Sequence, residues 1–247
     1  MSNTVFERTH LNLRIVFRIA IDKIFHNSGF SGNKICQQYK LSQQTGVRIL
    51  RVVRELMGLS QSKDLFKGEV EIDEVAIPTG TKGLGRHIKK KRGFGSDAIT
   101  PFLGLLERGT LRCRMFMLTD RDEETLLSTI MENVELGTTI YTDEWRGYSN
   151  LKSLGYNHFV VNHSKHEYSK GNITTNRIEG FFGHIKPNIK GTYRQITEPY
   201  SSLYAHEHCF RYTNCGLSVE EKFDKLLNSL PPLFERDRQL LSNEEAA

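Results

Sequence analysis

The sequence predicts an α/β protein in which a helical N-terminal region precedes a five-stranded mixed β-sheet flanked by helices. Apolar residues recur at helical spacing before position 60, whereas strand-like segments begin at about position 70. Three strands then follow one another as two consecutive hairpins before the first crossover helix. That order argues against a fully parallel sheet.

The N-terminal region is predicted to hold three helices. Leu11–Ile24 carries apolar residues at helical spacing and indicates an amphipathic helix. A glycine- and serine-containing break at 28–32 separates it from a short helix over Asn33–Tyr39. After a tight turn, a longer helix is expected from Gln43 to about Met57, with Ser42 as its N-cap.

The two later helices, joined by a tight turn, are typical of a helix-turn-helix. The second of them carries Arg48, Arg51 and Arg54 along one stripe. We expect this stripe to contact DNA, because the helical geometry and the positive charge agree. The alternative is an ordinary helical hairpin with arginines that face water. Positions 1–60 are therefore assigned to a helical helix-turn-helix DNA-binding region.

The chain after this region supplies the sheet. The strands are expected at Val70–Ile77, Ile99–Glu107, Leu111–Leu118, Thr138–Thr142 and His158–Val161. Asp122–Val134 is predicted to be the helix after the third strand, and Trp145–Leu154 the helix after the fourth. This order of elements is that of the ribonuclease H fold. A ferredoxin-like or doubly wound sheet is the competing arrangement.

Three helical stretches are predicted to follow the last strand: Asn176–Ile185, Tyr200–Tyr212 and Val219–Leu227. Positions 68–215 are accordingly assigned to the ribonuclease H-like domain. Positions 216–247 are assigned to a C-terminal helical tail that is expected to be partly disordered.

Composition limits the class of protein. Among the 247 residues, 38% are hydrophobic and 26% are charged, which suits a globular chain with a packed core. No apolar run approaches the ~18–20 residues of a membrane helix, and the polar start lacks a signal-peptide pattern, so an intracellular protein is expected. The four cysteines form no CxxC pair, which favours reduced thiols over a zinc site.

Positive charge is concentrated in one segment of a chain whose formal net charge is +5. Gly80–Gly95 contains no acidic residue, and its basic residues are Lys82, Arg86, Lys89, Lys90, Lys91 and Arg92. Such a run repels itself and predicts an exposed loop. The loop is either simply solvated or placed to attract the phosphate backbone of a nucleic acid.

Two aspartates occupy strand positions that suit chemistry. Asp73 lies inside the first predicted strand, on the opposite side from Val70 and Ile72. A buried carboxylate there needs a cation, either a basic side chain or a metal. Asp143 ends the fourth strand, where sheet enzymes often place reacting groups, although capping the next helix is its simpler role.

Asn176 and Glu179 are three residues apart and share one face of a predicted helix, where they could bind a cation or face water. Phosphodiester chemistry by two hard cations needs several carboxylate oxygens, held so that the ions lie about 3.5–4 Å apart. In the ribonuclease H strand order Asp73 and Asp143 would be neighbours. A later helix could bring Glu179 or Asn176 beside them.

Several short stretches together resemble a known family. They are Glu71–Glu74, Tyr141–Tyr148, Val161–Ser164, Thr175–Phe182, and Lys186 with Gly191–Tyr193, in this order along the chain. They resemble the DDE transposases of a group of bacterial insertion sequences and their eukaryotic relatives, the Merlin elements. A single aspartate motif would be weak evidence, whereas five motifs in order are specific.

The resemblance implies a transposase that cleaves element ends and joins the 3′-hydroxyl to target DNA with two Mg²⁺ (or Mn²⁺) ions. Asp73 and Asp143 match the first two catalytic, metal-binding aspartates of the family. Members use Glu or Asn as the third residue. Glu179 is preferred here because its formal charge suits a metal, and Asn176 is the alternative.

The resemblance also implies partners and a location. The partner is double-stranded DNA, both the terminal repeats of the element and the target, bound by a homo-oligomer in the bacterial cytoplasm or the eukaryotic nucleus. The basic residues Lys89, Lys90, Lys91 and Arg92, together with His163 and Lys186, are then expected to contact DNA. The alternatives are an inactive or domesticated DNA-binding derivative and a nuclease of the same fold without transposition.

Overall fold

The computed structural model describes residues 12–26, 30–79, 99–119, 122–161, 174–193 and 196–230. The helices are α1 (Leu13–Phe25), α2 (Gly32–Tyr39), α3 (Gln43–Leu59), α4 (Glu123–Asn133), α5 (Asn176–Asn188), α6 (Ser201–Thr213) and α7 (Val219–Leu227). The strands are β1 (Glu69–Pro78), β2 (Ile99–Glu107), β3 (Cys113–Met117), β4 (Thr139–Thr142) and β5 (Asn157–Val160). The chain divides into two compact units, Lys63–Thr213 and the segments on either side of it.

The N-terminal helices pack around α3. The predicted N-cap of this helix is confirmed, because the Ser42 hydroxyl accepts a hydrogen bond from the Thr45 backbone N–H at 3.2 Å. Helix α2 lies close to α3 because position 46 is glycine. A Cβ added to Gly46 would lie 2.6 Å from the Cys36 sulfur. The predicted pair of helices and its tight turn are therefore present, and the DNA-binding role of the pair stays a prediction.

The C-terminal helix belongs with these N-terminal helices. Helix α7 packs against α1 and α3, and the Phe17 and Phe223 rings meet edge to face at 5.9 Å. The helix predicted over Val219–Leu227 is therefore present, and it packs its apolar face against the N-terminal helices. The end of the tail, after position 230, lies outside the described residues, so its expected disorder stays a prediction.

The second unit is built on one sheet with the strand order β3-β2-β1-β4-β5. Strands β1, β2 and β3 pair antiparallel, while β4 is parallel to β1 and β5 is parallel to β4. This is the ribonuclease H topology, and the predicted fold is confirmed. The ferredoxin-like and doubly wound alternatives are excluded, because neither has this combination of order and direction.

The two sides of β1 bury different cores. Val70 and Ile72 belong to the core that includes Leu126 and Ile130 of α4. Val75 and Ile77 belong to the core that includes residues of α5 and α6. Because side chains alternate along a strand, Asp73 shares the α5 side with Val75. The predicted separation of Asp73 from Val70 and Ile72 is therefore confirmed.

The helix predicted over Trp145–Leu154 is wrong. The structure has only a 3-10 helix at Arg146–Tyr148, followed by turns. The Trp145 ring lies over Gly147, where an added Cβ would come within 1.8 Å of it. This local packing, together with the low helix propensity of glycine, serine and asparagine in the segment, favours a tight turn over an α-helix.

A glycine in β2 sets the distance between α5 and the sheet. Gly104 pairs with Asp73 across the β1–β2 ladder. A Cβ at this position would lie 2.6 Å from Phe182 Cζ and 3.1 Å from Ile178 Cδ1. Helix α5 therefore approaches the sheet beside Asp73 only because no side chain stands at position 104.

We expect Gly104→Ala to lower the free energy of unfolding by about 1–3 kcal/mol, since the buried Phe182 ring has little room to move. Gly183→Ala on α5 is the matched control, because no described atom lies within 4 Å of the Cβ it adds. That control should gain about 0.5–1 kcal/mol from helix propensity. Urea unfolding of both variants measures the difference, and equal effects would contradict this account of Gly104.

Candidate active site

Asp73 and Asp143 occupy equivalent places on neighbouring parallel strands. In the β1–β4 register Glu71 pairs with Tyr141, and each aspartate lies two residues beyond this pair. The carboxyl ends of β1 and β4 therefore bring the two side chains to the same part of the sheet. Both aspartates are half-buried. The predicted proximity follows from the strand order.

Asp143 also organises the turn that follows it. Its Oδ1 accepts a hydrogen bond from the Trp145 backbone N–H at 3.0 Å. The sequence also allowed Asp143 a simpler role as the cap of a following helix. The structure shows a related role, because Asp143 caps the turn that precedes the 3-10 helix. One oxygen fixes the turn, and the carboxylate remains beside β1.

Glu179 reaches the site from α5, which packs against β1 and β2. Its side chain is exposed, and its Oε1 accepts a hydrogen bond from the Thr175 hydroxyl at 2.7 Å. Asn176 is exposed at the first residue of α5, and its backbone N–H donates to the Thr174 hydroxyl oxygen at 3.0 Å.

The pKa of Asp73 is affected by burial and by neighbouring carboxylates. Burial, together with the negative charges of Asp143, Glu74 and Glu179, raises the pKa of Asp73 to about 7. A hydrogen bond from the Glu74 backbone N–H acts in the opposite direction. Asp143 and Glu179 therefore lie near enough to Asp73 for their charges to act on it, and the catalytic role of the three residues stays a prediction.

The donor chemistry of this cluster suits a hard divalent cation. Within the described ranges, no basic side chain forms an ion pair with Asp73 or Asp143. Nor do three His, Cys, Asp or Glu side chains of these ranges stand close enough to form a ready-made metal site. Asp73 is a partly buried carboxylate that neighbouring carboxylates make harder to ionise, and a bound Mg²⁺ or Mn²⁺ ion would offset their repulsion.

Glu74 and Tyr148 support the site from the other side of β1, and sequence reasoning did not single them out. The Tyr148 hydroxyl donates to Glu74 Oε1 at 2.6 Å, and the Trp145 ring contacts Tyr148 edge-on at 5.6 Å. Burial raises the pKa of Tyr148 well above its usual value, with further contributions from Glu74 and the two aspartates. Tyr148 therefore stays a neutral donor that ties the turn after Asp143 to β1.

A second polar pair fixes the end of β4. The Thr142 hydroxyl donates to the Asp143 carbonyl at 2.8 Å, and His158 Nε2 lies 2.8 Å from the same hydroxyl oxygen. Since the single hydroxyl proton is already used, His158 Nε2 donates to Thr142. Burial and the nearby charge of Lys152 lower the pKa of His158 to about 4, so the imidazole is neutral at pH 7.

Glu71 begins one of the family-like stretches, but the sequence predicts no role for its side chain. In the structure it is fully buried and is bonded to Arg108 and to the start of α5. The signal in the sequence was a glutamate two residues before Asp73, on the same face of a central strand. Its partner Arg108 gave no such signal, because the contact spans 37 positions.

The arginine stripe of α3 needs one correction. Arg48 is exposed and Arg51 is half-buried, but Arg54 is only 4% exposed. On a helix of 3.6 residues per turn, three residues rotate the chain by about 300°, which is about 60° short of a full turn. After two such steps from Arg48, Arg54 therefore lies on the side of Leu50 and Met57. Arg54 is therefore not presented on the helix surface with Arg48.

The other residues expected to contact DNA divide into two groups. Lys186 is exposed on α5. The loop residues Lys89, Lys90, Lys91 and Arg92, and also His163, lie outside the described residues. Their expected contacts with DNA stay predictions.

The fold and the placement of the two aspartates fit the class of DDE-type transposases. The family is equally clear: the family model for the ISXO2-like transposase domain matches residues 66–213, more than half of the chain, and the chain belongs to this family. The predicted resemblance to insertion-sequence transposases is confirmed. None of the described helices is long and apolar enough to cross a membrane.

Individual relatives agree with the family. The chain is 28% identical to a transposase-like protein of Haemophilus influenzae over 112 residues, which cover 44% of this chain and 89% of that protein. It is 26% identical to a protein in transposable element ISH50 of Halobacterium salinarum over 187 residues, or 72% of this chain. This second match spans 62% of the relative, less than two thirds of its length.

Among solved structures, the chain has a remote similarity to the Mos1 strand transfer complex. The TM-score is 0.26 at 7% sequence identity, over 92% of this chain and 77% of the other.

In metal-free buffer we expect Asp73→Asn to raise the Tm at pH 8. The folded-state pKa of about 7 lies above the ~3.9 of an unfolded aspartate. The stability contributed by this group is therefore complete below about pH 4 and is lost as the pH rises through 7. The variant removes that loss, and each kcal/mol recovered should raise the Tm by roughly 2–4 °C.

The comparison uses thermal unfolding at pH 4 and pH 8, with Glu132→Gln on the exposed surface of α4 as the control. The gain of Asp73→Asn should vanish at pH 4, and the control should not change at either pH. A lower Tm for Asp73→Asn at pH 8 would contradict the conclusion that the surroundings of Asp73 disfavour its ionised form.

Proposed function

We propose that the protein is an active transposase that hydrolyses a phosphodiester at each element end and then joins the freed 3′-hydroxyl to target DNA. One observation carries the proposal: Asp73 and Asp143 lie at equivalent places at the carboxyl ends of the neighbouring strands β1 and β4, and the charge of Glu179 on α5 acts on Asp73. Asp73 and Asp143 form no ion pair with a basic side chain among the described residues, which suits metal-assisted phosphoryl transfer better than a structural role.

Asp73, Asp143 and Glu179 would hold the metal ions. Two Mg²⁺ or Mn²⁺ ions bound there would supply activation of water or a 3′-hydroxyl and stabilisation of the leaving oxygen. Asp73 must lose its proton to become a ligand, so its affinity for a metal should rise as the pH increases towards and beyond 7. Asp143 is held in place for this task by the Trp145 N–H.

Glu179 is the preferred third residue, and Asn176 remains the alternative. The charge of Glu179 acts on Asp73, and its Oε1 is oriented by the Thr175 hydroxyl. Asn176 shares the helix face of Glu179, three residues earlier, and could contact a metal or the DNA.

DNA would reach these carboxylates along α5. Lys186 lies seven residues after Glu179, two turns along the same face of the helix, and its exposed ammonium group can contact a phosphate near the cut. Arg48 and Arg51 of α3 are proposed for recognition of element ends. The loop of Lys89–Arg92 and His163 are proposed as further contacts. Pairing of two element ends requires at least two copies of the chain on the DNA.

The direct test combines the purified protein with Mg²⁺ and DNA that carries the repeats flanking its gene. We expect nicking at the repeat ends, followed by strand transfer. Asp143→Asn should reduce both by at least about 100-fold, since the charge stabilisation is lost, while DNA binding measured by fluorescence anisotropy is retained. Cleavage that persists in this variant would reject the site. Nicking without strand transfer by the wild type would indicate a nuclease instead.

Two further variants in the same assay identify the third catalytic residue. Glu179→Gln should lose activity to a similar extent as Asp143→Asn, because a neutral amide is a weak ligand for Mg²⁺. Asn176→Ala should lose less than about tenfold. The reverse order of these two losses would make Asn176 the metal ligand in place of Glu179.

A further inference from the structure

Two of the carboxylates on the α5 side of strand β1, Asp73 and Glu71, have different environments. Asp73 is half-buried beside Asp143 and Glu179, as described above. Glu71, two residues earlier on the same face, has no exposed surface. It is compensated by three donors: the backbone N–H groups of Arg177 and Ile178, both at 3.0 Å from Oε2, and Arg108 Nε at 2.7 Å from Oε1.

These bonds make Glu71 the cap of α5. The first N–H groups of a helix have no partner inside the helix, and an N-cap side chain usually supplies one. In α5 the N-cap residue Thr175 makes no side-chain cap hydrogen bond. A carboxylate from the sheet supplies it, and the Thr175 hydroxyl donates to Glu179 Oε1 instead. The capping role of Glu71 therefore leaves Thr175 available to orient Glu179.

Arg108 joins this cap to the rest of the sheet. It follows the end of β2, and its Nη2 donates to the Thr174 carbonyl just before α5. Its own carbonyl accepts a hydrogen bond from Arg177 Nη1 at 2.7 Å. Its guanidinium stacks 3.8 Å from the centre of the Tyr141 ring in β4. Arg108 thus contacts β1, β4 and the start of α5.

We propose that Glu71, with Arg108, is a positioning residue for catalysis: it fixes the first turn of α5 so that Glu179 stands beside Asp73. The inference rests on the proposed function, because the consequence of positioning is metal-dependent cleavage. Glu71 contacts two residues of the first turn of α5, and Glu179 follows directly after them. A small rotation or shift of that turn moves Glu179 relative to the strand that holds Asp73.

The chain offers a matched control for this role. Glu107 is also a buried glutamate of the sheet, at 7% exposure, and it also pairs with an arginine, Arg112, at 2.8 Å. Its other bonds come from Thr110 and the Lys67 backbone, not from α5. Loss of a buried ion pair is therefore common to Glu71→Gln and Glu107→Gln, whereas loss of the cap on α5 is specific to Glu71→Gln.

The test measures DNA cleavage by the full chain as a function of Mn²⁺ concentration, at a temperature where both variants are folded. Glu71→Gln should lower kcat by about 10–100-fold and raise the Mn²⁺ midpoint, with the Kd for DNA within about twofold of the wild type. Glu107→Gln should keep kcat and the midpoint within about threefold. Glu71→Asp, which keeps the charge but shortens the reach, should not rescue the midpoint.

Equal losses in the two glutamine variants, or an unchanged Mn²⁺ midpoint in Glu71→Gln, would overturn the proposal. Amide hydrogen exchange gives a second readout, because the N–H groups of Arg177 and Ile178 should exchange faster in Glu71→Gln than in Glu107→Gln. If the wild type neither cleaves DNA nor binds Mn²⁺, the proposed function fails, and exchange still decides whether Glu71 anchors α5. Unchanged exchange at both amides would reject that anchoring as well.

Discussion

The candidate site depends on two carboxylates that share one face of a central strand. Glu71 is compensated inside the protein, by Arg108 and the start of α5. Asp73 has no such compensation among the described residues, and burial together with neighbouring negative charge raises its pKa to about 7. One carboxylate therefore stabilises the fold around the site, while the other is the proposed ligand of a divalent cation.

Close packing of α5 makes this division possible. Gly104 lies opposite Asp73, and the absence of a side chain lets Phe182 and Ile178 approach β2. The aromatic contacts keep the helix near the sheet, while the cap from Glu71 fixes its first turn. Packing thus sets the distance of α5 from the sheet, and hydrogen bonding sets its position along β1. Both are needed to hold Glu179 near Asp73.

Local patterns in the sequence predicted the order of elements, the Ser42 cap and the side of β1 on which Asp73 lies. The site was narrowed to Asp73, Asp143 and one face of α5, because strand alternation and motif order are encoded within short stretches. Contacts between residues far apart in the sequence could not be predicted from such local patterns. The turn at Trp145 depends on packing against Gly147, and the role of Glu71 depends on Arg108 and α5. Three-residue spacing placed Arg54 with Arg48, although the helix turns it inward.

A crystal structure grown with Mn²⁺ at about pH 8, with the ions located by anomalous scattering, tests the central claim most directly. At that pH Asp73 is ionised and able to act as a ligand. We expect Mn²⁺ bound by the carboxylates of Asp73 and Asp143, with Glu179 beside it. Mn²⁺ bound elsewhere in the chain, with none at Asp73 and Asp143, would contradict the proposed site.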